Sequence, residues 1–142
     1  MATAYQIAQL LHVLAASIWI GGHIIIALGY LPRFITTGDF RPLQEFESVY
    51  EKIGLPSLAV AAITGMYMAT QLGWPRGAVS SLVNLKILLL AAIVLLAVDA
   101  RFRIIRRHRR GYSISRVDMA AHIIAVTLIS IILAVVGWEI RY

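Results

Sequence analysis

No formal charge occurs between Met1 and Arg33, between Lys52 and Arg76, or between Asp118 and Glu139. Each gap matches or exceeds the ~20 residues a helix needs to cross a hydrocarbon core. A water-soluble fold would have to bury all three runs, and the chain has little polar surface to cover them. Of its 142 residues 60% are hydrophobic and 14% charged, with a mean hydropathy of +0.80. Those values define an integral membrane protein. The first run lacks the basic leader of a signal peptide and outlasts its apolar core, so it reads as a retained span.

The expected fold is all-α, a single transmembrane domain over residues 1–142 with spans at about 4–30, 55–73, 81–105 and 114–138. Pro32 is expected to end the first span, and Thr37-Gly38-Asp39 to form a loop. After Pro42, Leu43, Phe46, Val49, Tyr50 and Ile53 recur at helical spacing, with Gln44, Glu45, Ser48, Glu51 and Lys52 on the other faces. This pattern predicts a short amphipathic helix lying at the interface between spans 1 and 2, with Gly54 and Pro56 as the hinge into the second span. Gly73-Trp74-Pro75-Arg76-Gly77 closes that span as a turn.

The net charge of +6 gathers largely in Arg101, Arg103, Arg106, Arg107, Arg109 and Arg110. In a membrane protein such a cluster reports orientation and contact with anionic lipid; no nucleic-acid partner is implied. It places the 101–110 loop in the cytoplasm and both termini outside, in a bacterial-type inner (plasma) membrane. Arg33, Arg41 and Lys52 fall on the same side as the cluster. Cysteine is absent, which excludes disulfides, thiolate metal sites and cysteine nucleophiles.

Ionisable groups inside the spans carry the functional signal, because hydrocarbon tolerates them only at a cost. His12 and His23 are eleven residues apart, so on a helix they return to within ~20° of one another and rise ~16 Å. They share a stripe with Ala16, Trp19, Ala27 and Tyr30, flanked by Ala15 and Gly22, and such a stripe faces a bundle interior. Matching depths across the spans puts His23 level with His122, and His12 roughly level with Lys86, Met66 and Met68. Two layers of candidate ligands result. A neutral imidazole can ligate haem iron axially, with methionine as a known partner. Asp118, one turn before His122, could orient its ring. Arg33, Arg101, Arg103 or Arg106 could meet haem propionates. Glu47 is placed to cap the layer nearer the arginines. Asp99 is expected to pair with Arg103, and His108 to be solvated.

The string His12-Val-Leu-Ala-Ala-Ser-Ile-Trp19-Ile-Gly21-Gly22, with Pro32 following, resembles the first helix of the copper-resistance protein D (CopD) family. His12, Trp19, Tyr30-Leu31-Pro32-Arg33, Glu47, Gly65 and Lys86 are also similar to positions of the related HemJ-type protoporphyrinogen oxidases. There the resemblance implies haem b at the histidine and the lysine. Eleven residues separate Trp19 from Tyr30 here, more than in HemJ-type proteins, and His23 and His122 lie outside their pattern.

The leading expectation is therefore a membrane redox protein holding one or two b-type haems. His23 and His122 form one ligand pair, and His12 with Lys86 or a methionine forms the other. It would be a cytochrome b-like electron carrier or an oxidoreductase acting on quinol or porphyrinogen, with a quinone or porphyrin substrate and a redox partner subunit or a homo-oligomer. The alternative is a copper-handling transport protein using His12, Met66, Met68 and His23 as ligands. A third reading is a ligand-free subunit whose histidines only bond between helices.

Overall fold

The computed structural model describes residues 3–106, 110–111 and 113–140, without the side chains of 103–105. Among the described residues every regular element is helical, and four helices are long and apolar enough to cross a membrane. Helix α1 runs over Ala4–Thr37, α2 over Arg41–Gln71, α3 over Ser80–Asp99 with a π-helical continuation at Ala100–Ile105, and α4 over Arg116–Glu139. Leu28, Ile63, Leu88 and Leu95 stand well out of the bundle, as lipid-facing side chains do.

Pro32 does not end the first helix. A π-helical turn over Ile26–Tyr30 precedes it, and the helix resumes at Leu31–Thr37 with the proline in its opening turn. A proline lacks an amide donor and crowds the preceding turn, so widening that turn lets the helix pass through it. The end comes at Gly38, whose φ of 74° supplies the left-handed cap, and Arg116 from the start of α4 packs where a side chain at 38 would stand. Arg116 Nη1 donates to the Ile35 carbonyl at 2.9 Å, tying α4 to α1. In the loop that follows, the Arg41 guanidinium bonds both oxygens of Asp39 and holds its carboxyl below the usual carboxylate range.

The amphipathic stretch after Pro42 is helical as its periodicity predicts, but it is the first half of α2. That helix continues through Gly54 and Pro56 without a break. The Ser57 hydroxyl donates to the Ile53 carbonyl at 2.8 Å in the turn around the proline.

Small residues set the packing. On α1, Ala8, Ala15 and Gly22 are buried at every seventh position, and on α2 Gly54, Ala61 and Met68 repeat at the same interval. This seven-residue repeat is the seam of a left-handed helix pair, and small side chains let the two backbones approach. α1 packs most closely on α2, α1 also packs on α4, and α4 packs on α3. α2 and α3 hardly touch. The bundle is thus open along one side, and its cavities lie there.

Candidate functional site

Two cavities are stacked along the open side. The larger, about 760 Å³, lies toward the chain termini and is lined by residues of all four helices, among them His12, Gly65, Met66, Met68, Lys86 and Gly137. The smaller, about 330 Å³, lies toward the arginine-bearing end and is lined among others by His23, Glu47, Tyr50, Arg101 and His122. Trp19 lines both. Its indole is 6% exposed and donates through Nε1 to the hydroxyl of Ser130 on α4 at 3.0 Å. Trp19 is therefore a partition held by a bond from α1 to α4.

His12 is fixed from α2. Its Nδ1 lies 2.8 Å from the Ala61 carbonyl and 3.3 Å from the Thr64 hydroxyl. A carbonyl can only accept, so Nδ1 carries the proton and donates it, which leaves the Nε2 lone pair as the ring's free ligand atom. The imidazole rests over Gly65, where a Cβ would come within 2.9 Å of His12 Cε1. Only glycine seats the ring without displacing it. Lys86 reaches the same cavity from α3 and ends against α4, its Nζ 3.1 Å from where a Cβ on Gly137 would stand. His12 and Lys86 are near enough to couple electrostatically.

His23 repeats the arrangement one level along. Its Nδ1 is 2.9 Å from the Trp19 carbonyl four residues earlier, so again Nδ1–H donates and Nε2 is left free. The Tyr50 hydroxyl donates to the same carbonyl at 2.7 Å and lies 3.2 Å from His23 Nδ1. The Trp19 and His23 rings stand with centroids 4.3 Å apart. The Tyr50 ring passes over Gly22, where a Cβ would fall 2.0 Å from it. From α4, the Thr127 hydroxyl lies 3.3 Å from the His23 carbonyl, and His122 lines the same cavity and couples electrostatically to His23. At the mouth, Arg101 of α3 pairs with Glu51 of α2 across the gap.

The structure brings together the residues that depth matching grouped: His23 with His122 in one cavity, and His12 with Lys86 in the other. Glu47 joins the His23 level, as its position in the sequence suggested. Both Met66 and Met68 line the His12 cavity, although two residues on a helix normally face apart; Met68 is 2% exposed and Met66 is 42% exposed. The cavity is broad enough to meet both. Arg33 lines neither cavity and is exposed. It stands one turn beyond the π-helical segment, and Arg101 occupies the mouth instead. The expected Asp99–Arg103 pair falls on a side chain outside the described set, and His108 lies outside the described residues.

Sequence reasoning missed Tyr50 as a site residue because its place in the amphipathic repeat explained it fully. It missed Ser130 because a lone serine in an apolar helix carries no periodic signal. Among the described residues no three of His, Cys, Asp and Glu converge as a metal-binding cluster. Each level instead offers one imidazole Nε2, of His12 or of His23, in a largely apolar surround, beside thioethers at one level and a carboxylate at the other. Such an arrangement can hold a soft cation at low coordination number or a flat ligand through one axial bond.

Residues 44–138 match the family model CopD, Copper resistance protein D. The match takes in α2 from near its start, α3, and α4 almost to its end; the His12-to-Gly22 string lies before it. No curated protein and no solved structure matches the chain.

Proposed function

Given that the chain belongs to the copper resistance protein D family, we propose that it handles copper within the membrane, with Cu(I) as cargo held at two levels of one bundle. The observation that carries this reading is the repeated imidazole arrangement. At His12 and at His23, Nδ1–H is committed to a backbone carbonyl, so Nε2 alone is presented. Tying one ring nitrogen to a carbonyl is how proteins orient metal-binding histidines. Met66 and Met68 line the cavity of His12, and thioethers favour Cu(I) over harder cations. His122 and Glu47 line the cavity of His23. Low coordination suits a cargo ion, which must be held well enough to enter a site and loosely enough to leave it.

The test is a Cu(I) titration of purified protein against a chromophoric chelator. Two binding events are expected, one removed by His12→Ala and weakened by Met68→Leu, the other removed by His23→Ala or His122→Ala. A chain that cannot compete for Cu(I), or whose binding survives all four substitutions, sinks the proposal.

The volume of the His12 cavity, far more than an ion fills, favours a second reading. In it His12, or His23 with His122, would hold a b-type haem in a membrane electron carrier or oxidoreductase. The group would supply one-electron chemistry, and the chain would hold its iron and exclude water. A Soret band with a dithionite-reduced α-band, lost in His12→Ala or in both His23→Ala and His122→Ala, distinguishes it.

A further inference from the structure

Lys86 is the strongest unused group in the molecule. Its side chain is half-buried, its Nζ lies against α4 at Gly137, and no carboxylate of the described residues stands within ion-pairing distance of it. The residues lining its cavity include no Asp or Glu. An ammonium at this depth without a counter-charge is costly, and a ligand that brings a negative group recovers that cost. An unneutralised ammonium also opposes a metal cation at the neighbouring His12. Most of the rest of the lining is apolar: Leu58, Met68, Val83, Ile87, Leu90 and Leu133 help enclose about 760 Å³, with Gln9, Ser17 and Ser130 as its other polar residues. The cavity is enclosed by all four helices, and α2 and α3, which line it from two sides, make few close backbone approaches to each other.

We propose that the cavity between His12 and Lys86 binds a fatty-acid-like monocarboxylate drawn from the bilayer, its acyl chain along the apolar wall and its carboxylate on Lys86 Nζ. Volume, a mostly apolar lining and a single lysine each fit an acyl chain with one anionic end. A bare ion needs neither the volume nor the apolar lining. A phospholipid headgroup, with its phosphodiester and second chain, is too bulky for a site with one cation. The inference stands apart from the copper reading, since it needs only Lys86 and the cavity.

The experiment uses the full chain in nanodiscs of neutral lipid, photolabelled with a diazirine derivative of palmitate, with the labelled residues mapped by mass spectrometry. Labelling is expected to concentrate on cavity residues of α2 and α3 and to be competed by palmitate but not by methyl palmitate. Lys86→Met should cut competed labelling by about tenfold or more, as expected for a charge pair out of water, while Lys86→Arg retains it. Ala134→Phe keeps the charge but narrows the cavity, and it should weaken the labelling too. Label spread over lipid-facing residues, competition by the methyl ester, or unchanged labelling in Lys86→Met overturns the proposal. The Cu(I) titration of Lys86→Met is scored separately: copper binding that persists while fatty-acid labelling is lost shows the two sites fail independently.

Discussion

Trp19 donates its indole N–H to Ser130 across 3.0 Å, and that bond joins α1 to α4 at the level that divides one cavity from the other. Ser130 is 1% exposed, so no lipid headgroup reaches the indole if the hydroxyl is removed. Ser130→Ala takes away the protein acceptor of the indole N–H. Interhelical hydrogen bonds in membranes contribute ~0.6 kcal/mol on average and up to ~1.7 kcal/mol. An unfolding titration in mixed micelles with SDS should show a loss of about 1 kcal/mol. No loss, or a gain, would mean the indole finds another acceptor and the partition does not depend on this bond.

Gly21 and Gly22 are neighbours with opposite expectations. A Cβ at 21 meets nothing within 4 Å, whereas a Cβ at 22 falls 2.0 Å from the Tyr50 ring. That ring cannot swing aside freely, because its hydroxyl is bonded to the Trp19 carbonyl and it stacks on Phe46. Gly22→Ala should cost about 1–3 kcal/mol, the range for overpacking a close contact. Gly21→Ala should be neutral or should stabilise by up to ~1 kcal/mol through helix propensity. The same unfolding titration decides it, and similar values for the two variants would refute the close α1–α2 crossing.

This pair also marks the limit of what the sequence discloses. The spans are legible because charge is absent over lengths that only a bilayer explains. The levels of His23 with His122 and of His12 with Lys86 are legible because rise per residue converts numbering into depth. Depth leaves direction around the bundle open, which is why Arg33 was grouped with a cavity it does not line. Nor does sequence distinguish Gly21 from Gly22, since only the azimuth of α1 against α2 decides which one admits Tyr50. Pro32 departs from the expected helix end for a related reason. A π-helical turn is a response to tertiary packing and local crowding, and no residue pattern between Ile26 and Tyr30 announces it.

Gly65 tests the seating of His12 without touching the ligand. A side chain there collides with the imidazole at 2.9 Å or less, and the ring's own bonds to Ala61 and Thr64 anchor it from the same helix. Gly65→Val should therefore displace the ring and break the bond that fixes its tautomer. Cu(I) binding at this level should fall by about tenfold or more, within the 10–100-fold range for disturbing the support of a metal ligand. Binding at the His23 level should be unchanged. Equal loss at both levels would show a general folding defect, and no loss would show that His12 does not bind from this position.

Glu51 and Arg101 span the gap where α2 and α3 otherwise hardly meet. Their side chains are 36% and 60% exposed, so the pair is hydrated and adds little stability, between ~0 and ~1 kcal/mol. Its effect should appear as geometry. With no cysteine in the chain, spin labels can be placed at Leu55→Cys and Val98→Cys, both exposed and both lining the smaller cavity. Glu51→Gln should widen the label-to-label distance distribution, and high salt should widen it in the parent chain, because an exposed pair is screened. The reciprocal exchange Glu51→Arg with Arg101→Glu should restore the narrow distribution. A distribution that ignores both the substitution and the salt would mean that helix packing alone fixes the gap, and that the ion pair follows the spacing of α2 and α3 without setting it.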